Sequence, residues 1–244
     1  VEQNFAGMRD RCLSIGFDLA REKVEVCPTA HFHMGGIRID RDGFTDLEGL
    51  FAAGEDASGV HGANRLGGNG VAESTVYGAR VGDAVVNWVR NRKPGEYRPE
   101  QITEAKTTAN QFFQRTGGED AWRLRGELGK VMWERVGIVR SGEKLRQALT
   151  ELAMLSTRAK QIFSPSGRAF NLTWQQALDL RNLLTASELI AHCALARADS
   201  RGAHYREDFP ETDDANWLKN IYAARCTDGV KLWTEPVKLP RLRP

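Results

Sequence analysis

The 244 residues carry 34 Lys and Arg against 32 Asp and Glu, a formal net charge of +2 at pH 7. That interspersed near-balance argues against nucleic acid as the main partner. Apolar residues make up 41%, the mean hydropathy is −0.46, and no run of about 18 apolar residues occurs, which excludes an apolar membrane-spanning helix. From the opening VEQNFAGMRD, which lacks a basic and an apolar region, no signal peptide is expected. Cys12, Cys27, Cys193 and Cys226 are scattered without a CxxC spacing, so a reduced intracellular setting is expected, with no disulfide framework and no metal site.

Glycine is concentrated in the first 90 residues, where turns and close backbone approaches must be frequent. The spacing predicts a helix from Phe5 to about Leu13, stopping near Gly16. Residues 24–30 and 35–40 read as short extended runs, and 49–55 (GLFAAGE) as a buried strand ending in Gly. Asn69 is a candidate N-cap for a helix from Val71 to Arg90. Its apolar positions (Val71, Val76, Ala79, Val81, Val85, Val89) cover much of the surface, which predicts burial. The polar stretch NRKPGEYRPE, with Pro94, Gly95 and Pro99, reads as a linker.

The second half reads as helices near 101–115, 119–135, 143–163 and 173–198, forming an antiparallel three- or four-helix bundle. Leu145, Leu149, Leu152, Leu155 and Ile162 make one apolar stripe; Ala177, Leu180, Leu184, Ser187, Ile190 and Ala194 make another. Ser141 is expected to cap one helix, and Thr173 with Gln176 to form a capping box for the next. Trp133, Trp174 and Trp217 are expected to pack helices. The proline-containing tail KLWTEPVKLPRLRP is expected to be an extended strap.

Two cues carry chemistry. In His31-Phe32-His33-Met34-Gly35-Gly36 the two imidazoles are expected to face opposite ways and so not to share a metal, while the Gly pair lets a ligand or planar ring lie on bare backbone. An ordinary turn histidine is the blander reading. In HGANRLGGNG (61–70) a Gly-rich loop enters a helix, where backbone N–H groups and the helix dipole favour an anion or an electron-rich oxygen. Neither a P-loop nor a GxGxxG turn is present. Arg65 suits a bidentate grip on a carboxylate, or equally a bracing salt bridge to Glu55, Asp56 or Glu73. Arg201 and His204, beside the acidic run at 207–214, could face a partner or simply close a helix end with ion pairs.

PTAHFHMGGI, GLFAAGEDASGVHGANRLGGNGVAESTVYG and DSRGAHYREDFPETDDANWL together resemble the flavoprotein subunit of succinate dehydrogenase and fumarate reductase, whose superfamily includes L-aspartate oxidase. The resemblance implies an α+β chain: a C-terminal fragment of an FAD-binding α/β domain followed by an antiparallel helical bundle. It divides the chain into the end of a capping domain (1–25), a segment of the FAD-binding domain (26–92), a linker (93–102), a helical domain (103–226) and an extended tail (227–244). It assigns substrate binding to His31 and Arg65, and FAD contact to Glu55, Gly70 and Val71. The family's usual NSLL reads NGVAES here, which removes a hydroxyl and leaves the backbone donors.

The implied activity is interconversion of succinate and fumarate by hydride transfer at flavin N5, with FAD as cofactor. No proton-transferring residue is expected within these 244 residues. The implied partners are a dicarboxylate, an N-terminal FAD domain and an iron–sulfur subunit. The implied place is cytoplasmic, or peripheral on the inner face of the membrane. The chain alone is expected to bind little FAD and to be inactive. Two alternatives stand beside this: an L-aspartate oxidase type of flavoenzyme, and a non-catalytic helical module docking an iron–sulfur partner.

Overall fold

The computed structural model describes residues 4–93, 95–96, 98–165, 167–227 and 229–239. Pro94 and Tyr97 of the expected linker, residues 1–3 and the tail residues Asp228 and 240–244 therefore lie outside the described residues. The chain forms two compact units, residues 1–88 and 89–244.

In the first unit α1 spans Ala6–Ser14. The long helix α2, Asn69–Arg90, starts with Asn69 in its first turn, two residues before the expected start. Between them the extended runs make isolated bridges only, Ile37 with Ala57 and Phe44 with Phe51. The buried strand expected at 49–55 is thus corrected. A continuous strand needs a neighbour along its length to take its N–H and C=O groups, and here a 3₁₀ turn at Gly54–Asp56 interrupts the run. The expected burial of α2 is corrected as well: only Glu73 and Val81 are buried, while Val71 is 78% exposed. The rest of the unit reaches one line of the helix. There Phe51 packs between Phe44 and Trp88, with ring centroids 4.7 and 5.7 Å away.

The second unit contains α3 (Pro99–Asn110), α4 (Ala121–Val136), β1 (Val139–Arg140), α5 (Gly142–Ala159), α6 (Leu172–Ala196), β2 (Tyr205–Arg206), α7 (Asp214–Trp217), β3 (Lys219–Cys226) and β4 (Gly229–Pro236). Helices α4, α5 and α6 pack pairwise around Leu124, Leu128, Leu145, Leu152, Leu180 and Leu184, all buried. Each leucine removed from water contributes roughly 1.5–3 kcal/mol, which makes this three-helix contact the unit's core. Ile162 is buried too, but in the turn after α5, where it bridges to Glu119.

The caps explain where these helices begin. Ser141 Oγ accepts from Lys144 N at 3.3 Å, as its position suggested. The cap of α6 is Asn171, not Thr173: its Oδ1 accepts from Trp174 N at 2.8 Å. Its amide also donates to the carbonyls of Pro165 and Gly167, so Asn171 fixes the incoming loop, which Thr173 inside the helix could not do. Gln176 is buried, its Oε1 accepting from Arg125 Nη1 at 2.6 Å. Trp174 donates to Ala109 O and packs on Phe113, whereas Trp133 is 52% exposed. Trp217 lies beneath Arg197 and Lys219.

The tail is also corrected. Strands β3 and β4 pair antiparallel, with Tyr222 opposite Trp233 and their rings stacked 5.5 Å apart. Two short runs with β-branched and aromatic residues, Ile221-Tyr222 and Val230 to Trp233, are the sequence signal for it. Among the described residues no helix is long and apolar enough to cross a membrane.

A short parallel pairing, Val139 with Tyr205 and Arg140 with Arg206, ties the loop after α4 to the loop after α6. Arg206 is 2% exposed. Its Nη1 donates to the carbonyls of Ala194, Leu195 and Arg197 at the end of α6, and its remaining nitrogens grip Asp208 at 2.7 Å. Asp208 in turn accepts from Gly142 N at the start of α5. Arg201 pairs with the fully buried Asp199 and with Asp214. His204 Nδ1 accepts from Arg140 Nη1 at 2.8 Å, so this segment closes on itself with internal ion pairs and hydrogen bonds.

Burial, with the nearby charges of Arg140, Arg197 and Arg206, pushes the His204 pKa down to about 4. Between about pH 4 and 6.5 the unfolded chain binds the proton and the folded chain does not, so stability is lost as the pH falls through that window. After allowance for solvent screening of this partly exposed group, about 1–2 kcal/mol is expected to disappear between pH 7 and 4.5. Urea melts at the two pH values should show that loss diminished in His204→Gln; an undiminished loss would assign it to other groups.

Candidate functional site

The segments 31–36 and 61–70 meet in the first unit around one aromatic ring. Phe32 is half-buried, and the Arg65 guanidinium carbon lies 4.5 Å from its centroid. The His61 ring meets Phe32 edge-on at 5.1 Å. On a further side Phe32 touches the start of α2: a Cβ on Gly70 would come within 3.1 Å of Phe32 Cε2 and 3.7 Å of Arg65 Cδ. Glycine at 70 is therefore what allows helix, ring and arginine to close up.

His31 and His33 are both exposed while Phe32 and Met34 are half-buried. The two imidazoles thus share the outward side, as period-two alternation of an extended segment requires, which corrects the expectation of opposite faces. A Cβ at Gly35 would come within 3.1 Å of His33 Nε2, so the ring lying over that bare backbone is the protein's own. Gly36 allows a second close approach, because a Cβ there would stand 2.4 Å from Asp56 O. The segment is held by Ile37 N donating to Asp56 O at 2.7 Å and by Ser58 N donating to Ile37 O at 2.9 Å.

Among the described residues none of the three carboxylates suggested for Arg65 pairs with it. Arg65 Nη1 donates to Leu66 O at 3.1 Å, and Nε is buried with no hydrogen-bond partner. Glu55 Oε1 instead accepts from His33 N at 2.8 Å. Glu73 Oε2 accepts from His61 Nε2 at 3.0 Å. Among the described residues no carboxylate therefore cancels the charge on Arg65, and a buried N–H without an acceptor is a costly group that an incoming oxygen would relieve.

Glu55, Gly70 and Val71 lie beside this cluster. The first amides of a helix have no intrahelical acceptor and stand at the positive end of its dipole. Asn69 N is taken by Leu66 O, and Gly70 and Val71 follow it at the opening of α2. These backbone donors, with the exposed Glu55 as a nearby acceptor, suit a group rich in both carbonyl oxygens and hydrogen-bond donors, as a flavin is. Among the described residues no group of three His, Cys, Asp or Glu side chains gathers for a metal.

The residues missed in the sequence are Phe32, His61 and Glu73. Glu73 was visible only as a possible partner of Arg65. Its signal was a carboxylate one turn into a helix on the same side as Gly70, three residues earlier.

Comparison with known proteins adds two family matches: the family described as Fumarate reductase flavoprotein C-term over residues 125–244, and an FAD binding domain over residues 1–71. The fumarate reductase flavoprotein subunit of Escherichia coli is 37% identical over 240 residues, which are 94% of this chain and 39% of that protein. An L-aspartate oxidase of Yersinia pestis is 34% identical over 86% of this chain and 38% of its own length. The Mycobacterium smegmatis Sdh1 complex in the apo form contains a chain with TM-score 0.88 and 33% identity, covering 99% of this chain and 42% of that one. The chain spans about two fifths of the length of the curated relatives it matches.

Proposed function

The chain belongs to the fumarate reductase and succinate dehydrogenase flavoprotein family, a family of FAD-binding oxidoreductases, and from that membership we propose that it carries the dicarboxylate grip and part of the FAD-facing surface of an enzyme interconverting succinate and fumarate. The observation that carries the reading is Arg65: a guanidinium stacked on Phe32, fixed at one nitrogen, with Nε buried and unmatched.

Paired N–H donors on a rigid plane fit a carboxylate in two places at once, which fixes both its position and its angle. His31, next to Phe32 in the chain and exposed, would donate to the same end of the substrate. Glu55 and the amides of Gly70 and Val71 would face FAD, which supplies the hydride acceptor or donor when bound. The contribution of these residues is then positioning: holding the dicarboxylate so that one C–H bond is presented in a fixed direction, and stabilising the negative charge that builds up on the gripped carboxylate as that bond breaks. No acid or base for the accompanying proton is assigned within these residues. The remaining FAD surface and an iron–sulfur partner are proposed to come from outside them. Because the sequence has no GxGxxG turn, these 244 residues alone are expected to hold little FAD and to be inactive.

The similarity to an L-aspartate oxidase supports a second reading, in which the gripped substrate is an amino dicarboxylate. Turnover by the intact FAD-loaded flavoprotein decides between them. Succinate oxidation with an artificial acceptor, or fumarate reduction with a reduced dye, is the expected result. Consumption of aspartate with oxygen, and no reaction with succinate or fumarate, would replace the first reading by the second.

A further inference from the structure

The hydrogen-bonded pair of His61 and Glu73 has no task in the grip just described, yet both of its side chains are enclosed. The two side chains are 8% and 3% exposed, and Nε2 and Oε2 are 3.0 Å apart. Among the described residues of that unit Glu73 is the one charged side chain that is buried. Burying a carboxylate is costly unless a donor meets it, so the contact must be held once formed. Its location is as telling as its burial. His61 opens the Gly-rich loop and Glu73 lies one turn inside α2, so the pair fastens the two ends of the segment that carries Arg65. The His61 ring also contacts Phe32, on which the guanidinium rests.

A Cβ on Gly70 would meet both Phe32 and the Arg65 stem, and Glu73 lies on the same side of α2 as Gly70 because residues three apart in a helix are neighbours. The side of α2 that carries the buried carboxylate is therefore also the side that the Arg65 stem approaches. We propose that His61 is a positioning residue for Arg65 in two linked ways. It fixes the Phe32 ring beneath the guanidinium, and it engages the Glu73 carboxylate so that Arg65 is left to the dicarboxylate. The inference rests on the reading of Arg65 as the carboxylate grip.

The test measures fumarate or succinate binding by titration calorimetry, together with kcat and KM, on the intact FAD-loaded flavoprotein. His61→Ala is expected to raise the Kd and KM at least tenfold while kcat changes less than threefold, because Glu73 is released toward Arg65. Adding Glu73→Gln to His61→Ala removes the competing charge and is expected to recover at least threefold of the lost affinity. A merely structural pair would give no such recovery, since the second substitution would only loosen the loop further. Either a Kd for His61→Ala within twofold of the unsubstituted protein, or a double variant binding no tighter than the single one, overturns the proposal if Arg65→Gln abolishes binding. If Arg65→Gln binds as the unsubstituted protein does, the reading of Arg65 itself falls. Should His61→Ala fail to fold, His61→Asn, polar but too short to reach Glu73, is judged by the same two criteria.

Discussion

Arg65→Gln is expected to lower kcat/KM for succinate or fumarate by about 10²–10³-fold in the FAD-loaded flavoprotein, the scale of losing a charge-assisted, paired hydrogen bond to a group that gains charge in the transition state. Glutamine keeps a donor and much of the stem, so the Phe32 contact is reduced without opening a hole. What goes is the charge and the second parallel N–H. Arg65→Lys should restore only part of the loss, because an ammonium offers one point of charge and no fork. The division between KM and kcat is informative. A loss in KM alone would mean that Arg65 grips substrate and transition state equally; a shared loss would mean that the grip tightens as charge develops. A kcat/KM within threefold of the unsubstituted value would remove Arg65 from the site.

The largest expected effect on stability lies in the second unit. Arg206→Leu removes the guanidinium that satisfies three carbonyls at the end of α6 and the partner of Asp208. Leucine fills volume but leaves those carbonyls without a donor, at a cost of about 3–5 kcal/mol for breaking a buried, multiply bonded charge. The pairing of Arg206 also holds the Asp208 carboxyl well below the usual range, so the variant's Asp208 should titrate nearer to its ordinary value. Denaturant unfolding should show a midpoint shift equivalent to that cost. A shift below about 1 kcal/mol would mean that water replaces the guanidinium at the helix end.

The helical half was legible because its apolar stripes are satisfied within it. Leu145, Leu152 and Leu155 on one helix, and Ala177, Leu180 and Leu184 on the next, are buried against each other. The same logic misled for α2, whose valines follow an equally good period but find only part of their cover among the described residues of the first unit. Periodicity tells which face is apolar and says nothing of what covers it. The cap at Asn171 was missed because Thr173-x-x-Gln176 matches a local pattern, while the choice between them depends on the loop carbonyls that Asn171 alone reaches. The hairpin was missed because the prolines of the tail point to an extended strap and mask the two strand-like runs, Ile221-Tyr222 and Val230 to Trp233. At the site, Arg65 was readable as chemistry and its motif as a family resemblance. The His61–Glu73 pair was not, since a spacing of twelve matches neither a helix nor a strand and only the folded loop closes it.

The short parallel pairing of β1 with β2 has a consequence for how the second unit tolerates change. The Arg140–His204 contact beside it joins residues 64 positions apart and so closes a long loop that contains α5 and α6. The chain entropy lost on closing such a loop grows only with the logarithm of its length, so even doubling it would cost about 0.6 kcal/mol. Insertions between α5 and α6 are therefore nearly free as far as closure is concerned. At the pin itself, where a few residues hold both ends of the loop, the same number of added residues would break the register and release it. The second unit has elastic length in one place and none in the other, and variation in chain length should accumulate accordingly.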